Sequence, residues 1–85
     1  MNKTFSATAW NDFMSWLRED RKTVQKIAAL LKDIERNGNE GLDRPEALRG
    51  NLTGYWSRRI TEKDRLIYRF DEQTIYIAAC KGHYD

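Results

Sequence analysis

The sequence predicts an α+β fold in which an N-terminal helical hairpin packs on one face of a three- to four-stranded antiparallel sheet. Three observations point to it. Apolar residues recur at helical spacing through the first 37 residues, aromatic and β-branched residues dominate the last third, and the segments of that last third are joined by only three or four residues. At 85 residues the chain makes a single domain spanning 1–85, and a domain of that size buries only roughly 60–65% of its unfolded surface.

The first helix is predicted to start at Ser6 or Thr8 as N-cap, with Trp10, Phe13, Met14 and Leu17 forming its apolar stripe. Charged residues from Arg18 to Lys22 mark a break. A second helix follows with Val24, Ile27, Ala28, Leu31 and Ile34 on one face, and Asn37-Gly38 suits its C-terminus. Two adjacent amphipathic helices make a poor core alone, so their stripes must cover something else.

Residues 39–54 read as a connection rich in Gly, Asn and charge, with Pro45, the only proline, in its middle. Connections longer than about 12–15 residues in a compact domain are usually functional, so this one is a candidate to carry chemistry. Beyond it, residues 55–60, 65–70 and 74–80 form an antiparallel meander, and Lys3-Thr4-Phe5 can add an edge strand. The face of the sheet away from the helices is left for a ligand.

Composition narrows the function classes. Cys80 is the sole cysteine, so no intramolecular disulfide can form. No apolar run approaches the ~20 residues needed to cross a bilayer, and the start of the chain lacks the apolar stretch of a signal peptide; a soluble, cytoplasmic protein without a membrane partner is expected. The net charge is only +2, but residues 44–65 carry six basic and three acidic side chains, so the positive potential is local. A solvated surface can also produce such a cluster.

Three places can carry chemistry: Pro45-Glu46-Ala47-Leu48-Arg49, the block from Gly54 to Ile60, and Cys80-Lys81-Gly82-His83-Tyr84. A guanidinium matches phosphate oxygens bidentately and stays charged, which suits Arg58, Arg59 and Arg65 to a phosphate transition state. Adjacent arginines on a strand point to opposite faces, so only one of Arg58 and Arg59 can join Arg65; an odd-numbered hairpin loop selects Arg59 and an even one Arg58. The alternative is that these arginines pair with Glu62 and Asp64 in solvent. His83 is the only histidine, and Cys80 with His83 supplies two metal ligands where a tetrahedral zinc needs four, so neither a metal nor another cofactor is expected. Cys80 lies in a strand pattern that makes it a buried small residue rather than a nucleophile.

Pro45-Glu46-x-Leu48, Asn51-Leu52-x-Gly54-aromatic-Trp56-Ser57-Arg58-Arg59-Ile60-Thr61 and the closing His83-Tyr84 resemble the YoeB-type toxins of the RelE superfamily. Arg65-Leu66-Ile67-Tyr68 and Ala78-Ala79-Cys80 extend the similarity to nearly the whole chain, while residues 2–9 match least and Asp85 trails the His-Tyr pair. The resemblance implies a RelE-like fold and a metal-independent, ribosome-dependent mRNA endoribonuclease that cuts codons in the A site and inhibits translation. It assigns catalytic roles to Glu46, Arg65, His83 and Tyr84. Arg49 and Arg59 become basic contacts to RNA, to which Arg58 and Lys63 are added from the charge cluster. It further implies an antitoxin whose disordered tail covers the site, the ribosome with its 16S rRNA and mRNA as partners, and a toxin homodimer. Two other readings remain: a non-catalytic RNA- or protein-binding module of the same fold, and a catalytically dead partner of an antitoxin.

Overall fold

A computed structural model describes residues 1–82 of the chain. Ser6 is the cap that starts the first helix, α1 (Ala7–Glu19): its hydroxyl accepts the Ala9 N–H at 3.0 Å. Asp20 then serves two helices at once. Its own N–H closes α1 on the Trp16 carbonyl at 2.8 Å, and its carboxylate caps α2 (Arg21–Asn37) by accepting the Lys22 N–H and the Thr23 hydroxyl at 3.0 and 2.9 Å. A single residue between the helices forces a tight hairpin. α2 stops at Gly38, which has φ +58 and donates its N–H to the Ile34 carbonyl.

Five strands build one sheet in the order β1-β5-β4-β3-β2: β1 (Asn2–Phe5), β2 (Glu46–Ala47), β3 (Trp56–Arg59), β4 (Arg65–Phe70) and β5 (Thr74–Ala79). The α+β architecture is the predicted one, but the sheet is mixed and one strand larger. β1 runs parallel to β5, and the added strand is a two-residue piece of the long connection paired with β3. Two residues cannot display alternation, and an edge strand's direction depends on the path of the chain rather than on its own pattern.

The core lies between the hairpin and one face of the sheet. Ile27, Leu30, Leu31 and Ile34 of α2 meet Leu66, Tyr68, Ile75 and Ile77, with Ala9 and Trp16 from α1 closing the end over Cys80. On α1 the buried side is turned from the predicted stripe: Trp10 and Leu17 are 51% and 44% exposed, and Ala9 and Trp16 are buried in their place. On α2 Ala28 faces out and Leu30 faces in. Trp16 goes inward because its indole N–H reaches the Cys80 carbonyl at 2.8 Å, giving a buried polar atom a partner. Burial, reinforced by the charges of Asp12 and Asp64, pushes the Cys80 thiol up to about 12, so it is no nucleophile near neutrality.

Among the described residues one charged side chain, that of Arg58, is wholly inside. Arg58 is 0% exposed, and its guanidinium pairs with Asp33 of α2, donates to the carbonyls of Gly38 and Leu42, and meets the Tyr68 hydroxyl at 3.1 Å. Tyr68 passes the chain on to Asn39 Oδ1 at 2.7 Å. Removing one member of a buried pair strands the other charge, typically at a cost of about 3–5 kcal/mol, a large share of the roughly 4–13 kcal/mol that 85 residues can be expected to have. Asp33→Ala is therefore expected to lower the urea midpoint sharply, and Asp33→Leu with Arg58→Met to recover part of the loss. The Arg58 and Leu42 N–H groups hold the Asp33 carboxyl below the usual carboxylate range. Its stabilisation is therefore complete above about pH 4 and lost as the pH falls through the lower folded value. Asp33→Asn should flatten that part of the acid limb in pH-dependent unfolding, and an unchanged limb would remove the pair from this role.

Candidate functional site

Directly paired residues of neighbouring strands share a face, and the pairing of β3 with β4 sets Arg59 opposite Arg65 and Arg58 opposite Leu66. Five residues, Ile60 to Asp64, lie between the paired arginines, so the odd loop selects Arg59. Arg58 is thereby withdrawn from the expected set of RNA contacts: it faces the helices, where Asp33 holds it. Glu46 pairs with Ser57, Ser57 with Ile67, and Ile67 with Ala79, so Glu46 stands with Arg59 and Arg65 on the face turned away from the helices, at the end of a row whose other members are buried. Two strand spacings and two residues along the strand separate the Cα atoms of Glu46 and Arg65 by roughly 12 Å, a gap that two long side chains can close around a bound group.

The loop that delivers Glu46 is tied down residue by residue. The Leu42 N–H donates to Asp33 at 2.9 Å, Lys26 pairs with Asp43, and the Asp43 carbonyl accepts the Arg59 N–H at 2.9 Å. These bonds hold Asp43 and Arg44 at φ +62 and +53. The left-handed region costs a non-glycine residue roughly 1–2 kcal/mol, so the turn into Pro45-Glu46 is imposed by its surroundings. Leu48 N–H then reaches the Tyr55 carbonyl at 2.9 Å, keeping the short strand on β3. The Glu46 side chain is exposed.

Arg65 is anchored through one end. Its Nη1 donates to the carbonyls of Thr61, Asp64 and Glu62 at 2.9, 3.1 and 3.3 Å. Across from it, the Nε of Arg59 is buried and has no hydrogen-bond partner among the described residues. Like charges directly opposite one another on a sheet are destabilising, and among the described residues no carboxylate forms an ion pair with either arginine. Solvent pairing with Glu62 or Asp64 is thus not how their charge is met. Two guanidinium groups at one spot, with no ion-paired carboxylate among the described residues, give that spot a positive potential.

The end of the described chain is brought to the same place. The Arg65 N–H donates to the Gly82 carbonyl at 2.9 Å, and the Gly82 N–H donates to Asp64 Oδ1 at 2.8 Å. Helix α1 holds the preceding residues: the Cys80 N–H donates to Asp12 at 3.0 Å, and Lys81 reaches Ser15 at 2.9 Å and sits 4.6 Å over the Trp16 ring. Asp64 entered the sequence reading only as an alternative, solvated partner of the arginines. Its signal was Thr61-x-x-Asp64, a spacing that closes a turn on itself: the Thr61 hydroxyl donates to Asp64 Oδ2 at 2.7 Å and accepts the Lys63 and Asp64 N–H groups at 3.1 Å. His83 and Tyr84 lie outside the described residues.

Of the remaining basic candidates, Arg49 is exposed at the head of a short 3₁₀ turn, Gly50–Leu52, and Lys63 is exposed in the turn between β3 and β4. Among the described residues no three His, Cys, Asp or Glu side chains cluster as a metal site.

Comparison with known proteins adds to this geometry. The family model of the YoeB-like toxin of bacterial type II toxin–antitoxin systems matches residues 5–84. Toxin YoeB of Escherichia coli K12 is 44% identical over 84 residues, covering 99% of this chain and all of that protein. The YoeB dimer from Staphylococcus aureus superposes with a TM-score of 0.93 at 50% identity, covering 99% of this chain and 98% of that one, and the heterotetrameric YoeB–YefM toxin–antitoxin complex of the same organism superposes with 0.92 at 50% over the same shares. With the match running over the whole of its sheet and both helices, this protein belongs to the YoeB-like toxins of bacterial type II toxin–antitoxin systems.

Proposed function

We propose that this toxin is a ribosome-dependent mRNA endoribonuclease that needs no metal ion and cuts codons in the A site. The observation that carries the reading is the convergence of Glu46, Arg59 and Arg65 on one open face, with Gly82 hydrogen-bonded to the backbone of Arg65. A carboxylate beside two unneutralised guanidinium groups is the charge pattern for a phosphodiester whose neighbouring hydroxyl must lose a proton.

In the proposed reaction the RNA 2′-hydroxyl attacks its own 3′-phosphate. Glu46 takes the hydroxyl proton as the new P–O bond forms, and Arg65 and Arg59 meet the charge that builds on the phosphate oxygens. The bond to the 5′-oxygen then breaks, His83 protonates that oxygen, and the products are a 2′,3′-cyclic phosphate and a 5′-hydroxyl. Tyr84 contacts the adjoining base, while Arg49 and Lys63 hold flanking phosphates. Anchoring Arg65 through Nη1 fixes the guanidinium before substrate arrives, so little ordering is left for the transition state. The ribosome supplies the rest of the orientation by presenting the codon and its 16S rRNA surroundings.

The partners follow from the same reading. An exposed cationic face that cuts message must be covered when the toxin is idle, and we assign that task to a cognate antitoxin whose disordered tail folds over it. The Staphylococcus aureus relatives, captured as a dimer and with YefM, support a homodimer and an antitoxin complex for this chain. The cytoplasm, where translating ribosomes are, is its place of action.

Purified protein mixed with programmed ribosomes is expected to give discrete, codon-positioned mRNA ends in primer extension, each carrying a 2′,3′-cyclic phosphate. Uncut message would favour the binding-module reading, and an intact 2′-hydroxyl end would sink the chemistry. Glu46→Ala should lower single-turnover cleavage by roughly 10²–10⁴-fold, the range for one general acid or base; a loss under about threefold removes Glu46 from the mechanism. A message with 2′-deoxyribose at the cut position should bind and stay whole, and its cleavage at the normal rate would exclude attack by that hydroxyl.

A further inference from the structure

A second feature of the open face lies two residues along from the Glu46 row. Arg69 pairs with Tyr76 across β4 and β5, Tyr76 pairs with Thr4 of β1, and continuing the β3–β4 register by one residue sets Tyr55 opposite Arg69. The Arg69 guanidinium lies 4.0 Å from the centre of the Tyr76 ring and 5.8 Å from that of Tyr55. Together they border a shallow cleft of about 180 Å³, with Thr4 and Ser6 on its far side.

The row is built to stay in place. The Tyr76 hydroxyl donates to Asp71 Oδ2 at 3.1 Å, and the same carboxylate accepts the Gln73 and Thr74 N–H groups at 2.9 Å, so the ring is tied to the turn before β5. Arg69 is exposed, and among the described residues it forms no ion pair. The cleft is smaller than the roughly 300–1,000 Å³ typical of sites that enclose a small molecule. A cleft of that size suits a surface contact with a flat group better than an enclosed ligand.

Resting on the ribonuclease reading above, we propose that Tyr55, Arg69 and Tyr76 form a stacking ledge for an unpaired base of the RNA strand, away from the nucleotides that flank the cut. Bases stack on aromatic rings and on guanidinium planes, and this row presents both in sequence. Arg65 and Arg69 are four residues apart on the same face of β4, roughly 13 Å along an extended strand, so the ledge serves a neighbouring nucleotide rather than the scissile one. An acidic peptide is the competing occupant. It would use the guanidinium edge alone and leave the two rings without a role, which is why RNA is favoured.

The test is the affinity of the full chain for an unstructured 2′-O-methyl oligoribonucleotide, which cannot be cleaved, measured by fluorescence anisotropy. Arg69→Gln and Tyr55→Leu are each expected to weaken binding by roughly tenfold or more. Arg69→Lys should fall nearly as far, because it keeps the charge and loses the plane. Removing bases one at a time from the oligomer should find one position where the loss in the native protein is large and the loss in Arg69→Gln is absent. Affinities equal to the native protein, full binding by Arg69→Lys, or additive effects of base removal and substitution would each overturn the ledge. So would a variant that binds the oligomer normally and loses an acidic antitoxin-tail peptide. Arg69 lies on the surface, so its variants carry the test even if Tyr55→Leu folds poorly. Cleavage by the native protein on programmed ribosomes is read separately: cutting with unaffected variants sinks the ledge alone, and no cutting sinks the ribonuclease reading.

Discussion

The buried pair of Arg58 and Asp33 is the interaction on which the rest of the structure depends. Taking a guanidinium out of water costs several kcal/mol unless its charge and its N–H groups are answered. Here the answers come from three separate elements: a carboxylate on α2, carbonyls of Gly38 and Leu42 in the loop after it, and the Tyr68 hydroxyl on β4. Satisfying one side chain therefore locks a helix, a loop and the sheet together. The closeness of that packing shows at Gly41, where a Cβ would sit 1.7 Å from the Asp33 carboxylate, so the loop can pass only as glycine. From there it proceeds through Asp43 and Arg44 to Glu46, which is how a charge in the core decides where a carboxylate lands on the opposite face.

That relation explains what was legible in the sequence and what was not. Both helices, the stop at Gly38 and three of the strands were written in local pattern, with Ser6 one of two possible first caps and Lys3-Thr4-Phe5 a possible edge strand, because caps and periodicity are properties of a few neighbouring residues. The rotation of α1 was not. Trp10 and Trp16 are equally apolar by type, and only the Cys80 carbonyl, 64 residues downstream, draws the second inward. Arg58 and Arg59 posed the same problem more sharply, since nothing local distinguishes two adjacent arginines. The register of β3 on β4 does so, and register is a pairwise property that a single strand does not carry. Glu46, Arg59 and Arg65 could be named as a group beforehand from resemblance, but their sharing of a face is a fact of the sheet.

The two arginines also show how differently the molecule treats the same charge on its two faces. Inside, four of the five N–H groups that Arg58 offers reach acceptors, and the pair contributes to holding the fold. Outside, Arg59 and Arg65 oppose each other with no ion-paired carboxylate among the described residues, a placement that costs stability. Arg65 has its Nη1 fixed on turn carbonyls, so even its freedom to swing away is reduced. On the proposed ribonuclease reading, a phosphate entering between the two guanidinium groups would offset that cost as it forms its hydrogen bonds.

One further residue brings the end of the chain into register with that site. The pairing of β4 with β5 slips at Ala78, so that Ile67 faces Ala79 while Tyr68 faces Ile77. A bulge shifts the phase of everything after it. Before it, Tyr76 lies on the face away from the helices and Ile77 in the core; after it, the buried Ala79 lies on the face away from the helices and Cys80 in the core. If Ala78 continued the regular alternation instead of bulging, the last strand would leave the sheet in the other phase, turning the Cys80 side chain away from the core and its carbonyl away from the Trp16 indole. The grip of α1 on Cys80 and Lys81 would fail with it. The bulge, the inward turn of Trp16 and the bond from Arg65 to Gly82 thus act together: they bring Gly82, the last described residue, beside the paired arginines.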